Sequence, residues 1–138
     1  MQLRLRFLLL AVIAFTAMAA SHALAEVPGT PQNLTATWQW SNINEQLWMP
    51  VASLKWYGNL DGGMPSGFRI YHADGEKSTY DGFELINSFD RYVWDSTAQD
   101  GEWRSVLGQQ LSAGTHSFYV ETYNLDGTSN PGNIATVT

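Results

Sequence analysis

Asp-Gly pairs recur along this chain and divide it into short segments, none of which has a helical pattern of useful length. Five such pairs occur, at positions 61–62, 74–75, 81–82, 100–101 and 126–127. The pair suits a tight turn because glycine accepts a positive φ and the aspartate side chain hydrogen-bonds its own backbone. Between the turns, apolar and polar residues alternate with the period of two that is typical of half-buried strands. The sequence therefore predicts an all-β, antiparallel sandwich or barrel.

The alternation predicts seven strands and the side chains that face the core. The strands have approximate bounds of 31–40, 47–57, 67–72, 83–89, 103–111, 116–124 and 133–138. The clearest is 116–124, in which Phe118, Val120 and Thr122 are expected to point inward. In the first two strands, one face collects Leu34, Ala36, Trp38, Trp40, Trp48, Ala52, Leu54 and Trp56. Residues 87–103 lack such a pattern and are expected to form an exposed connection.

The first 25 residues have the order of regions found in a secretory signal peptide. Arg4 and Arg6 give a basic start, residues 7–20 are apolar, and Ala23-Leu24-Ala25 is a small-x-small cleavage site. The apolar run is shorter than the roughly 20 residues that a membrane-spanning helix needs. We therefore expect a signal peptide over 1–25, one domain over 26–138, and a secreted product, extracellular or periplasmic, with no membrane insertion after cleavage.

The composition of the chain after this cleavage excludes several classes of function. Removing two basic residues leaves five basic and thirteen acidic side chains, a formal charge of −8. Such an acidic surface repels nucleic acid, so no nucleic-acid partner is expected. The chain has no cysteine, which excludes disulfides and thiolate metal sites. Burial alone must stabilise the core, and the six Trp, six Tyr and four Phe that follow residue 25 supply large apolar area for it.

Four motifs follow one another along the chain in a characteristic order. They are Pro31-Gln32-Asn33-Leu34-Thr35-Ala36, Leu54-Lys55-Trp56, Gly67-Phe68-Arg69-Ile70-Tyr71 and the segment from Asn124 to Pro131. In this order they resemble a fibronectin type III domain, here of a bacterial-type, secreted, single-domain kind. The resemblance covers nearly all of residues 26–138. It implies a seven-stranded antiparallel sandwich of the immunoglobulin-like class, with Trp56 in the core.

The chain departs from that family at the start of the sixth strand. The family usually has a tyrosine there, whose hydroxyl pins a corner through a hydrogen bond to the backbone. In this sequence the corresponding position falls on His116 or Ser117. A histidine can still donate one such hydrogen bond, so His116 is expected to be a corner residue and His72 a polar strand residue.

The sequence contains no catalytic motif that we can identify, and we expect a protein without enzymatic activity. The segment 63–67 is not a nucleophile elbow, because Ser66 stands one place too late. The two histidines after the signal lie on different predicted strands, and a zinc site needs three or four converging ligands. No catalytic residue, metal site or cofactor is therefore predicted. Acidic turns leave calcium as an alternative, although no EF-hand loop is present.

Aromatic side chains beside polar ones in the segment 87–103 suggest a different kind of site. A flat ring can stack on the C–H face of a sugar, and a carboxylate can accept hydrogen bonds from its hydroxyls. The predicted ligand-binding residues are Tyr92, Trp94, Asp95 and Trp103. In the alternative, Trp94 and Trp103 fold back over the open end of the sandwich, since tryptophan is highly buried on average.

These features predict a secreted, non-catalytic binding module that recognises an extracellular glycan or another extracellular protein. The alternative is a structural or adhesive subunit of an extracellular assembly. A binder of the first kind should expose at least two of Tyr92, Trp94 and Trp103 together. A structural subunit should instead show a bare sheet edge or an apolar surface patch.

Overall fold

The computed structural model describes residues 26–44, 47–59, 61–90, 102–107 and 111–138. The expected signal peptide, as well as Tyr92, Trp94 and Asp95, lies outside these ranges. Eight strands occur within them, and we number them in chain order: β1 Gln32–Asn44, β2 Leu47–Tyr57, β3 Gly67–Asp74, β4 Glu84–Asp90, β5 Glu102–Val106, β6 His116–Asn124, β7 Gly127–Thr128 and β8 Ala135–Val137. None of the residues in these ranges forms a helix with the length and hydrophobicity needed to cross a bilayer.

The strands form two antiparallel sheets that pack face to face. One sheet has the order β1-β2-β5, and the other has the order β4-β3-β6-β7, with β8 also paired to β6. The first sheet is thus built from strands 1, 2 and 5 of the chain and the second from the rest, which is the exchange between layers of an immunoglobulin-like sandwich. The expected fold class, an all-β sandwich of the fibronectin type III or immunoglobulin-like kind, is confirmed.

Several strand bounds differ from those expected. β1 continues to Asn44, four residues further than the alternation predicted, and β5 ends at Val106. The last predicted strand, 133–138, corresponds to β8, whereas β7, a two-residue strand after the Asp126-Gly127 turn, was not predicted. The segment 87–103 is not one exposed connection, because β4 extends to Asp90 and β5 begins at Glu102.

The core lies between the two sheets and is centred on aromatic rings. Trp56, Phe68 and Phe118 are its largest fully buried side chains. The rings of Trp56 and Phe68 meet edge to face, with centroids 5.4 Å apart, a geometry that aromatic pairs favour. The expected inward direction of Phe118, Val120 and Thr122 is confirmed, since all three are buried.

The core face of the first sheet continues past the end of the core. Leu34 and Ala52 are buried, and Trp38 is half-buried against the core, as the alternation predicted. Trp40 and Trp48, which follow on the same face, are instead 68% and 61% exposed. The shared face predicted for these two tryptophans is confirmed by the register of β1 against β2, but they lie beyond the core, because no described strand of the second sheet covers this part of the β1–β2 hairpin.

Truncating Trp56 should destabilise the sandwich strongly. Trp56→Ala removes a fully buried ring, and such a change costs about 3–5 kcal/mol, a large part of the stability of a typical domain. Trp48→Ala is the matched control, because its ring is mostly exposed and we expect a loss below about 1 kcal/mol. Urea unfolding of the two variants, followed by circular dichroism, measures both. Equal losses would contradict this assignment of the core.

Candidate functional site

Trp103 does not present its ring to solvent, as the predicted glycan site requires. It lies in β5 directly opposite Trp56, is 9% exposed, and its ring centroid is 4.5 Å from that of Phe68. Directly opposed residues of an antiparallel pair share a face, so both tryptophans point into the core. This contradicts the expectation of a ligand-facing ring at Trp103, because that ring is part of the core. The alternative, in which Trp94 and Trp103 together cover the open end of the sandwich, stays a prediction, since Trp94 lies outside the described residues. The roles of Tyr92, Trp94 and Asp95 remain predictions.

The described residues that flank the predicted aromatic segment lie at the end of the sandwich opposite the β1–β2 hairpin. β4 ends with Asp90 opposite Gly67, and β5 begins with Glu102 opposite Tyr57. These residues are at the start of β3 and the end of β2, whereas the hairpin turn lies beyond the other end of β2. The segment 91–101 therefore leaves and re-enters the sheets at the end far from the hairpin.

The hairpin carries two exposed indole rings on one face. In the β1–β2 register, Trp40 is opposite Pro50 and Trp48 is opposite Asn42. The two tryptophans are thus diagonal neighbours on the same face, a separation that aromatic side chains can span. Leu47, which precedes Trp48, is 50% exposed as well. This end of the hairpin is the largest grouping of exposed apolar side chains that the described residues form on two neighbouring strands.

β1 is an edge strand of its sheet beside these rings. Among the described strands it pairs only with β2. The side chain of Asn133 covers the edge at Leu34, where it accepts from the backbone N–H at 2.8 Å and donates to the carbonyl at 3.0 Å. The register shifts of β1 lie at its two ends, and the pairs from Thr35 to Asn42 are continuous. No residue of β1 is charged.

A second cluster of polar side chains lies at the same end of the sandwich, around the first residue of β6. The Nε2 atom of His116 is 2.8 Å from the backbone carbonyl of Ser112, four residues upstream. A corner tyrosine in immunoglobulin-like sandwiches makes the same kind of hydrogen bond to the backbone a few residues upstream. His116 therefore occupies the corner position. The ring is 1% exposed and meets the ring of Trp38 edge-on at 5.8 Å.

The other nitrogen of His116 faces two further polar side chains. Its Nδ1 atom is 2.9 Å from Nε2 of His72 and 3.1 Å from Oδ1 of Asp74, and the last two atoms are 3.7 Å apart. Burial, together with the neighbouring His116, lowers the pKa of His72 below its ordinary value, which favours the neutral imidazole. Among the described residues these three are the group that converges closely enough to hold a metal ion.

His72, Asp74 and His116 form a triangle of polar atoms. The backbone around this triangle is fixed by hydrogen bonds between the β3–β4 turn and the start of β6. The N–H of Gly75 donates to the carbonyl of Thr115 at 2.7 Å. The hydroxyl of Ser117 donates to the carbonyl of Gly75 at 2.8 Å and accepts from the N–H of Lys77 at 3.1 Å. Asp74 directly precedes this turn, and His116 lies between Thr115 and Ser117. The backbone on either side of the two residues is therefore held by hydrogen bonds.

Sequence reasoning found His116 as a corner residue but did not bring it together with His72. In the structure Asp74 is directly opposite His116, and His72 is opposite Phe118. A parity argument alone could have placed all three on one face, because Phe118 points inward and residues two apart share a face. The distance between the histidines depends in addition on the register of β3 against β6, which no single strand specifies.

Comparisons with known proteins identify no family for the chain. No protein-family model matches it, and no curated protein matches it. Among solved structures, the chain is similar to the structure titled "Titin kinase and its flanking domains", with a TM-score of 0.48, 14% identity, and coverage of 81% of this chain and 17% of that one. It is also similar to "Crystal structure of domains A168-A170 from titin", with a TM-score of 0.47, 14% identity, and coverage of 79% and 30%.

The chain therefore spans less than a third of either of these structures. At this level of similarity, its class is defined by its own sheet order. The protein is an immunoglobulin-like β-sandwich domain whose hairpin end carries two exposed tryptophans and a histidine-aspartate cluster.

Trp94→Ala tests the remaining part of the predicted glycan site. If Trp94 stacks on a sugar from an exposed position, the variant should lose binding on a glycan array and keep its melting temperature within a few degrees. Trp103→Ala is the contrasting control, because loss of this core ring should cost about 3–5 kcal/mol. Strong destabilisation by Trp94→Ala would show that this ring also covers the core and would remove the glycan site.

Proposed function

We propose that this protein is a secreted, non-catalytic subunit of an extracellular assembly, and that it associates with a second copy of itself through the β1–β2 hairpin. The observation that carries the proposal is the pair of exposed rings, Trp40 and Trp48, beside an uncharged edge strand. Export is supported by the leader-like residues 1–25, and the non-catalytic role by the missing catalytic motifs.

The edge of β1 supports strand pairing between two chains. Edge strands that must stay unpaired are commonly protected by charged side chains, proline or a bulge in the exposed stretch. The stretch from Thr35 to Asn42 has a continuous register and contains no charged residue and no proline. Pairing of two such edges therefore brings no like charges into contact within the strand, although each chain is acidic overall.

A two-fold pairing centred on Trp40 satisfies the geometry of both the edge and the rings. In an antiparallel β1–β1 pair, Trp40 would be opposite its own copy and Trp38 opposite Asn42 of the second chain. Directly opposed residues share a face, so the Trp40 rings of the two chains would meet, with the Trp48 rings beside them. Since the hairpin extends beyond the core, the two sandwiches would lie at opposite ends of a four-stranded ribbon. The same patch contacts itself, which is the closed, isologous arrangement of most dimers.

The neighbours of the two rings favour a protein over a glycan at this surface. Pro50 lies directly opposite Trp40 and shares its face. Asn42 adds one side-chain amide on the face of the rings. A glycan site needs several hydrogen-bonding groups around each ring, whereas tryptophan and other apolar side chains with few charges are typical of the core of a protein interface.

Sedimentation velocity over a range of protein concentrations tests self-association. The wild-type protein should convert from monomer to dimer as concentration rises. Trp40→Glu should shift the equilibrium to monomer because it places two like charges opposite each other. Gln39→Lys should do the same by protecting the edge, since Gln39 is an exposed residue of β1.

Leu125→Glu is the matched control for these variants. Leu125 is fully exposed, at 102%, and follows β6 at the end of the sandwich far from the hairpin. The substitution Leu125→Glu removes an exposed apolar side chain and adds the same charge as Trp40→Glu. The variant should therefore dimerise like the wild type. A wild-type protein that stays monomeric at every concentration, or a Trp40→Glu variant that dimerises normally, would contradict the proposal.

A further inference from the structure

Three possible metal ligands at the corner already have nearly the spacing that a small ion requires. A tetrahedral ion with bonds of about 2.0–2.1 Å to nitrogen and oxygen holds its ligand atoms about 3.3 Å apart. Nδ1 of His116, Nε2 of His72 and Oδ1 of Asp74 are separated by 2.9, 3.1 and 3.7 Å. Adjustments of a few tenths of an ångström would therefore place all three atoms around one ion.

The corner hydrogen bond selects the ring tautomer that a metal needs. A backbone carbonyl only accepts, so Nε2 of His116 carries the hydrogen that it donates to Ser112. In the neutral ring, Nδ1 then has a free lone pair, and this atom is the one that faces His72 and Asp74. Histidines that bind metals usually donate their other N–H to a carbonyl or carboxylate in the same way. The corner thus provides an orienting contact for a ligand before any metal is bound.

The triangle also brings together more lone pairs than a single proton can serve. A hydrogen on Nε2 of His72 can point to Nδ1 of His116 or to Oδ1 of Asp74, but a hydrogen bond is directional and favours one of them. A metal ion accepts electron pairs from all three atoms at once. When a metal binds, neutral His72 takes the tautomer with its hydrogen on Nδ1. Its Nε2 is then free to coordinate the ion, and the ring stays neutral.

We infer that His72, Asp74 and His116 form a binding site for one divalent transition-metal ion, for which Zn²⁺ is the best match. Two imidazoles and a carboxylate suit zinc and its neighbours in the first transition series, whereas calcium takes oxygen ligands. The site shares Asp74 with the acidic turns that made calcium an alternative, but its two imidazoles give it a different chemistry. It also does not depend on self-association, because all three ligands belong to one chain.

The two sides of the site differ in their access to solvent. The His116 side chain is 2% exposed, and the Asp74 side chain is 79% exposed. The ion would therefore be held by strand residues on the core side, while its remaining position faces solvent. Three protein ligands with one open position can accept a water molecule or a side chain of another molecule.

Isothermal titration of the purified, untagged, chelator-treated protein with Zn²⁺ tests the site. One ion per chain should bind with a Kd on the order of micromolar, and Co²⁺ in its place should give the visible absorption of a tetrahedral centre. His72→Gln should weaken binding by at least about tenfold. Asp74→Asn should also weaken it, and this variant should keep the fold because the carboxylate is exposed. Ca²⁺ should not compete.

Asp81→Asn is the matched control, because Asp81 is an exposed aspartate in the β3–β4 turn that is not part of the triangle. It should bind Zn²⁺ as the wild type does. The inference is overturned if neither Zn²⁺ nor Co²⁺ binds at concentrations up to about a millimolar. It is also overturned if Asp74→Asn, folded by circular dichroism, binds Zn²⁺ as well as Asp81→Asn does. Since the wild-type and Asp74→Asn results suffice, an unfolded His72→Gln variant would not affect the decision.

Discussion

The pairing of β3 with β6 is the constraint on which the rest of this sandwich depends. Eight residue pairs in succession join the two strands, from Gly67 opposite Tyr123 to Asp74 opposite His116, with no register shift. One face of this ladder supplies Phe68, Ile70, Phe118 and Val120 to the core, all of them fully buried. On the same face, His72 is opposite Phe118, and the one further pair supplies Asp74 and His116. Core and polar cluster are thus successive parts of one ladder, and a shift in register would disrupt both.

The alternation within single strands was sufficient to predict much of this fold. It identified the inward direction of Phe118 and Val120 in β6 and of Leu54 and Trp56 in β2, because burial on one face is a local property of a strand. The resemblance to fibronectin type III domains added the class and the position of the corner. Since each motif is a local stretch of sequence, these predictions did not require knowledge of how distant strands meet.

What the sequence could not predict has a common physical origin in the relation between strands. Trp40 and Trp48 have the parity of core residues but are exposed, because the extent of the opposite sheet decides where a core face stops being covered. Trp103 was assigned to a polar connection, yet its pairing with Trp56 turns it inward. The approach of His72 to His116 depends on register in the same way. The periodicity of a single segment does not specify how one strand is positioned against another.

A corner made by histidine differs from one made by tyrosine in the number of polar atoms it provides. A tyrosine hydroxyl that holds the backbone is the only polar atom of its ring, whereas His116 holds Ser112 with one nitrogen and directs a second to the opposite side. Histidine in place of tyrosine at this corner thus adds a potential ligand atom within the strands themselves. Loop-borne sites diverge as their loops are lengthened or replaced. This cluster would persist through such changes for as long as the sandwich folds.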